Sequence, residues 1–356
     1  MFHVKHSGPH ILLINPWITD FATYNFWIKP LGLLYVASFL RSIGFRITLL
    51  DCLEFRTKRK TYGDGKFHKT IVEKPKPLKS IPRNYGQYGM PEQGIIEQLL
   101  SLEKPDVIAI TSGMTYWYPG VIKLIEITKK LFHQVPIILG GIYATLCYDH
   151  AKRYSGADYI VSGRGELKAL NLVSELVGLE NPSKLPDAEP CRGEEAGKKL
   201  KGCGTYENFS TDPDLDLLPY PCFELYPLLD YVCILTSRGC PLHCSYCATP
   251  VVAHGFKKRN PLNVIDEIQH WTAQHSVKNI AFYDDALLID PSSHILHILR
   301  EILRKGIRCN FHAPNGLHVR EIDEEVADLL FRCHFKTIRL GFETRMSGFK
   351  KRVEGR

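Results

Sequence analysis

Three cysteines in one short stretch carry the plainest chemical signal in this chain. Ile234–Pro250 reads ILTSRGCPLHCSYCATP and holds Cys240, Cys244 and Cys247 in a C-x3-C-x2-C run. Three thiolates this close on one loop cannot all bond to each other, but they can converge on a soft metal centre. Thiolate selects zinc or an iron–sulfur cluster. A closed structural zinc site takes four protein ligands. Three thiolates on a cubane cluster leave one iron without a protein ligand, free to bind a substrate or cofactor. The competing reading is three unrelated or zinc-binding cysteines. The other residues able to do chemistry fall downstream, at Asp284-Asp285, His312 to Asn315 and Glu343-Thr344, with Arg238 just ahead of the first cysteine.

These residues need elements to position them, and the second half of the chain supplies a strand–helix repeat. Strands are expected over 231–236, 278–283, 308–312 and 337–341, with helices over 261–275, 291–305 and 323–333. This is a βα repeat of barrel type, whose active sites lie at the carboxyl ends of the strands. The cysteine loop follows the first strand, and each downstream polar cluster follows a later one. His312 and Asn315 are candidates to line a substrate chamber, although a lone histidine is more often structural. Asp290, ahead of Pro291, reads as a helix cap.

Residues 1–180 show a second alternation. Strands are expected over 10–15, 46–51, 106–111, 136–140 and 158–162, and helices over 31–42, 94–102, 121–132, 149–154 and 166–177. The strands are continuous apolar runs, as when helices cover both faces of a parallel, doubly wound sheet. Glycine-bearing turns follow them, at Ser112-Gly113, Gly140-Gly141 and Gly163-Arg164-Gly165-Glu166. Such sheets bind ligands at these ends, so Gly113, Gly141, Gly163 and Gly165 are candidates for close approach of a ligand to the backbone. Taken singly, each is equally an ordinary tight turn.

Between these regions, residues 181–230 read as a linker, rich in Pro, Gly, Lys and Glu near its start. A basic insertion, 56–93, interrupts the first domain. Between Arg56 and Arg83 it has ten lysines and arginines against Asp64 and Glu73, with Tyr62, Tyr85 and Tyr88 in the same insertion. It reads either as a solvated loop or as a contact surface for an anionic substrate such as RNA, the former being preferred.

Composition bounds the classes. The 356 residues suggest about two domains. A net charge of +7 is too weak by itself to imply nucleic acid. No apolar stretch approaches the ~20 residues of a membrane span, and the start does not read as a signal peptide. Eleven cysteines at irregular spacing fit free thiols and one metal site, hence a reducing, cytoplasmic setting.

The cysteine spacing, with Tyr246 just before the third cysteine, resembles the radical S-adenosylmethionine (SAM) superfamily. PLGLLYVASFLRSIGF…LLD, ITSG, LGGIYAT and DYIVSGRGE are similar to the cobalamin (B12)-binding-type domain that precedes many radical SAM domains. The resemblance implies an α/β fold with a Rossmann-like sheet followed by a partial (β/α) barrel. It implies a [4Fe–4S] cluster on Cys240, Cys244 and Cys247, with SAM on the open iron cleaved reductively to a 5′-deoxyadenosyl radical. Tyr246, Asp284, Asp285 and Glu343 would lie by the cofactor, and a one-electron reductant such as flavodoxin or ferredoxin would be the partner. The signature D-x-H-x-x-G is absent, because Cys-Leu-Glu-Phe follows Asp51. Cobalamin would therefore bind without a lower protein ligand, or the domain would have kept the fold without the cofactor. Family barrels have six strands and four are legible here, so a fragment or a truncated form is expected. With cobalamin, methyl transfer to an unknown substrate is the leading outcome. The alternatives are a non-catalytic cobalamin or iron–sulfur binding protein, and an RNA-modifying methylthiotransferase-like enzyme. The latter needs three further cluster cysteines, and the sheet region offers Cys52 and Cys147.

Overall fold

The computed structural model describes residues 8–54, 65–179 and 213–341. The chain divides into two compact units. The first comprises residues 1–213 and 217–225, the second residues 214–216 and 226–356.

The first unit is built on a five-stranded parallel sheet. Numbered along the chain, its strands are His10–Asn15, Arg46–Asp51, Val107–Ile110, Ile137–Leu139 and Tyr159–Ile160. Their spatial order is second, first, third, fourth, fifth, all parallel. This is the flavodoxin-like form of the doubly wound fold, whose switch point lies between the first and third strands. The first strand is buried along its whole length, as a central strand covered on both faces must be. Helix Tyr118–Leu131 packs Val121, Leu124 and Ile125 into a cluster with Leu12, Ile108, Ile137 and Leu139. The spacing of those helical residues puts them on one stripe.

The basic insertion is folded where it is described. Gly86–Tyr88 pairs antiparallel with Ile18–Asp20 on one side and Lys69–Ile71 on the other. Tyr85 and Tyr88 are buried and donate their hydroxyls to the carbonyls of Thr19 and Phe21, at 3.1 and 3.0 Å. Lys69 donates to the carbonyls of Phe21 and Asn84, Lys74 to that of Ile81, and Lys79 pairs with Glu73. Lys69, Lys76, Lys79 and Arg83 are nonetheless exposed, as a solvated segment would have them, while Tyr85 and Tyr88 are buried rather than presented to a ligand. Tyr62 and Asp64 lie outside the described residues.

The second unit is a four-stranded parallel sheet, Val232–Ile234, Asn279–Phe282, Asn310–His318 and Phe335–Gly341, arranged in chain order. Helices Pro261–Gln269, Ile295–Arg304 and Glu324–Arg332 connect the strands. Helix Ile295–Arg304 buries Ile295, Leu296, Ile298, Leu299 and Ile302, the i, i+3, i+4, i+7 stripe of an amphipathic helix. Phe282, Phe311 and Phe335 come from three neighbouring strands and lie with ring centroids 5.6–5.7 Å apart. Phe282 and Phe311 are fully buried, each contributing about 2 kcal/mol. Asn260 and Asp323 cap the first and third of these helices through Leu262 and Val326 amides. Asp290 sits at the expected cap position but bonds Ser292, Ser293 and Lys258 side chains instead. The backbone turns left-handed there, at φ +49°. Among the described residues no helix is long and apolar enough to cross a membrane.

Candidate cluster and cofactor sites

The cysteine loop leaves the carboxyl end of strand Val232–Ile234. Ser237–Arg238 runs out and Lys257–Lys258 returns antiparallel to it, closing the loop at its base. Helix Thr249–Ala253 lies between the cysteines and the returning arm. Cys240 and Cys244 are half-buried and Cys247 is exposed, all three as free thiols. Burial pushes the Cys240 thiol up. A backbone hydrogen bond from Leu242 opposes this, and the charges of Asp285, Cys244 and Cys247 add to the rise. The four groups thus share one electrostatic neighbourhood. Among the described residues no three His, Cys, Asp or Glu side chains are gathered closely enough to hold a single metal ion.

The donor set nonetheless fits an iron–sulfur cluster. The loop offers three thiols, with His243 exposed between the first two, and two of the sulfurs already accept amide hydrogens. Leu242 N–H reaches Cys240 Sγ and Thr249 N–H reaches Cys247 Sγ, each at 3.4 Å. Such N–H···S bonds help set the potential of a ligated cluster. The backbone of Cys247 also donates to the Cys244 carbonyl at 3.0 Å, folding the two into one turn.

Asp284 and Asp285, adjacent in sequence, part company in space. Asp284 is buried and its carboxylate turns under the start of the loop. It accepts from the Thr236 and Ser237 amides and from both hydroxyls, with contacts of 2.6–3.1 Å. Desolvation raises its pKa, and these hydrogen bonds act against the rise. Of the two aspartates, Asp284 is thus engaged with the loop's own backbone and hydroxyls rather than open to a ligand. Asp285 remains exposed. Partial desolvation first, and the charge of Asp284 second, raise its carboxyl. Asn315 is half-buried and tied to the same turn. Its amide donates to the Tyr283 and Asp284 carbonyls at 3.0 and 3.1 Å, fixing the turn that carries both aspartates.

His312 is fully buried between strands, with Nδ1 3.1 Å from Thr337 Oγ1 and Nε2 3.3 Å from Asn279 Oδ1. Burial lowers its pKa to about 4, so it is a neutral interior residue. Tyr246 is exposed on the loop, and Arg238 is half-buried beside it. Glu343 and Thr344 lie outside the described residues.

Sequence reading missed a set of buried polar residues behind the loop. His294 Nε2 lies 3.0 Å from the Thr236 carbonyl, which also accepts from the Arg259 amide at 2.8 Å. The Arg259 guanidinium donates to the Leu235 carbonyl and pairs with Glu267 and Asp216. The Thr-Ser pair before the cysteines was the available signal; the identity of its partners was not.

In the first unit, the expected glycine turns line the carboxyl edge of the sheet, after its third, fourth and fifth strands; only Ser112-Gly113 borders the switch point. Ser112 Oγ donates to the Gly140 carbonyl at 2.5 Å, and the Ser112 carbonyl accepts from the Ile142 amide at 2.8 Å. Gly113 lies against Trp117, Gly163 donates its amide to Thr145 Oγ1, and Gly165 starts helix Glu166–Leu176 close to Val36. Met114 and Tyr116 are exposed immediately after this backbone ledge. A ledge of backbone flanked by exposed apolar side chains fits a broad, flat ligand such as a corrin. Asp51 is occupied by Asn15 Nδ2 and the Leu53 amide, at 2.8 and 2.9 Å.

Comparison with known proteins matches this division. Residues 88–173 match the B12 binding domain family and residues 234–356 the radical SAM superfamily. The cytidylyl-2-hydroxyethylphosphonate methyltransferase of Streptomyces wedmorensis is 22% identical over 90% of this chain and 62% of its own length. The anaerobic magnesium-protoporphyrin IX monomethyl ester cyclase of Rubrivivax gelatinosus is 26% identical over 61% of this chain and 40% of its own. In fold, the chain is similar to the radical SAM methyltransferase TsrM from Kitasatospora setae, solved with cobalamin and a [4Fe–4S] cluster. The TM-score is 0.62 at 17% identity, over 97% of this chain and 62% of that one. The chain thus spans less than two thirds of the length of each of these proteins. Both family matches fall in the same order as the two sheets, so the chain carries a B12-binding-type domain ahead of a radical SAM domain.

Proposed function

We propose that this protein is a radical SAM enzyme that transfers methyl groups to a small-molecule substrate with the help of cobalamin. The observation that carries the reading is the three-thiol loop at the carboxyl end of the first barrel strand, with amide hydrogens already directed at two sulfurs. When bound, a [4Fe–4S] cluster supplies one electron for the reductive cleavage of SAM, and cobalamin supplies a carrier for the methyl group.

The chain's own residues bind and orient. Cys240, Cys244 and Cys247 hold the cluster as thiolates. Asp285 presents an outward carboxylate close enough for its charge to be felt at Cys240, which suits the cationic amino group of SAM. Tyr246, exposed between the second and third cysteines, lies against the cofactor. Gly113, Gly141, Gly163 and Gly165 let the corrin approach the backbone at the edge of the first sheet. Asp51 is followed by Cys-Leu-Glu-Phe, so no histidine of the D-x-H-x-x-G signature serves as lower ligand. Methyl transfer and a small-molecule substrate are supported by the names of the relatives, two of which are a methyltransferase and a tryptophan-bound methyltransferase. The electron comes from a one-electron donor of the flavodoxin or ferredoxin class in the cytoplasm. Tyr85 and Tyr88 of the insertion are buried and so not presented for stacking on bases, which favours a small molecule over RNA.

Anaerobic reconstitution with iron and sulfide tests this reading. The expected result is about four irons per chain, 5′-deoxyadenosine released from SAM on reduction, and a corrinoid absorption in protein supplied with cobalamin. Cluster binding without SAM cleavage would instead mark a binding protein.

A further inference from the structure

The polar side chains buried behind the cluster loop are arranged around one short piece of backbone. Thr236 donates its amide and its hydroxyl to Asp284, and its carbonyl accepts from His294 Nε2 and the Arg259 amide. Ser237 donates amide and hydroxyl to the same carboxylate. Leu235 is held through its carbonyl by the Arg259 guanidinium. Thr236, Ser237, Asp284, His294 and Arg259 are all buried. The three gripping residues come from three places: the returning arm of the loop, the end of the second strand, and the residue ahead of helix Ile295–Arg304. Parallel pairing ends at Ile234, which faces Phe282. Beyond that point Thr236 and Ser237 are buried, and their amides go to the Asp284 carboxylate instead of a parallel neighbour strand. An unsatisfied buried amide is costly, so these side chains replace the missing sheet partner.

We propose that Asp284 and His294 are positioning residues that preset the cluster loop, fixing the direction in which the chain leaves the strand three residues before Cys240. A charged acceptor makes this strong, because hydrogen bonds to an ionised group are about twice as strong as neutral ones. The inference rests on the reading of the loop as a cluster site, but the preset geometry exists in the protein without iron and is testable there.

The test is amide hydrogen exchange on residues 235–239 of the full chain without metal, followed by iron content after anaerobic reconstitution. Asp284→Asn places an amide where two hydroxyls and two amides donate. We expect exchange at Thr236 and Ser237 to accelerate at least about tenfold, the scale of losing a charge-assisted hydrogen bond. Iron retained through gel filtration should fall by more than about half, as loss of an orienting partner commonly lowers metal affinity at least about tenfold. His294→Gln keeps a donor and should preserve protection, whereas His294→Leu should lose it. Asp285→Asn should leave exchange of this segment unchanged. Circular dichroism and the melting temperature identify a variant that fails to fold, in which case the His294 pair decides. Wild-type-like exchange in both Asp284→Asn and His294→Leu overturns the proposal. Loss of protection with no iron bound even by the wild type upholds the positioning role and overturns the cluster reading instead.

Discussion

Gly239 sits under the returning arm of the loop so closely that a Cβ on it would lie 1.8 Å from the carbonyl oxygen of Gly255. Its φ of +83° is also one that side chains rarely adopt. Together the overlap and the strain fix glycine immediately before the first cysteine. Gly239→Ala should cost about 2–4 kcal/mol and open the base of the loop. A lower urea midpoint with loss of iron after reconstitution is the expected result. Full iron loading at unchanged stability would contradict it.

Cysteine replacements should separate ligation from packing. Cys240→Ala, Cys244→Ala and Cys247→Ala each remove a ligand from a half-buried or exposed position. Stability without iron should change by less than about 1 kcal/mol, while the visible absorption of the reconstituted cluster should be lost. Cys309→Ala, in the buried interior, should behave in the opposite way, keeping the cluster at a cost of about 1 kcal/mol. Absorption spectra alongside denaturation curves distinguish the two patterns.

Acid should weaken the second unit before carboxylates protonate. Burial holds the imidazoles of both His294 and His312 at about 4, against an unfolded value near 6.5. Unfolded chain therefore binds protons in that window that the folded chain refuses. The stabilisation is complete above about 6.5 and declines as pH falls toward 4. Between pH 7 and 5 each histidine should remove about 2 kcal/mol. At His294, Lys258 and Arg259 act with burial, and the Thr236 carbonyl and Asp216 act against it. Asp284 and Asp285, raised rather than lowered by burial, oppose the trend. Urea titrations at the two pH values should show the drop, and His294→Gln should reduce it.

Glu267 is fully buried beside Arg259, with Oε2 2.5 Å from the guanidinium. Removing one partner of a buried pair leaves the other charge uncompensated. Glu267→Ala should therefore destabilise by about 3 kcal/mol, since the better exposed Asp216 is a weaker partner. Thermal melting measures this, and a change below about 1 kcal/mol would mean that water compensates the arginine.

Gly141 makes the same demand on the first unit that Gly239 makes on the second. Its φ is +93°, and a Cβ there would come 2.3 Å from the Ser112 carbonyl oxygen. Gly141→Ala should push the turns apart and cut corrinoid binding by at least about tenfold, a loss near 1.4 kcal/mol. Binding followed by visible absorption tests this, and undiminished affinity would remove the ledge from the corrin site.

Local patterns were legible and remote pairings were not. Strands 10–15 and 46–51 and helix 31–42 occupy the residues expected of them, because apolar runs bounded by polar and glycine residues determine such elements locally. The third barrel strand continues to His318 rather than ending at His312. Pro314 and Gly316 look like breakers, but register shifts between Phe311 and His312 and between Ala313 and Gly316 accommodate them. The helix expected from Pro291 is broken at His294, whose φ of −146° separates a 3-10 turn from helix Ile295–Arg304. The antiparallel sheet in the insertion was invisible because its strands find partners up to seventy residues away. In the site, cysteine spacing is a local signal and could be read. The role of Asp284 depends on Thr236 and Ser237, 48 and 47 residues away, and no spacing rule connects them.

The burial of the cysteines has a consequence for how this protein meets oxidants. Cys52, Cys222, Cys233, Cys309 and Cys333 are enclosed, and burial pushes the thiols of Cys309 and Cys333 up to about 12. Thiols protonated and shielded in this way are poor nucleophiles. Peroxide or an alkylating reagent entering from solvent would therefore meet Cys247 long before the sulfurs of the two cores. Among the described cysteines, air damage should begin at the loop rather than in the buried cores, so a protein that has lost its iron to oxygen would still be a scaffold worth reloading.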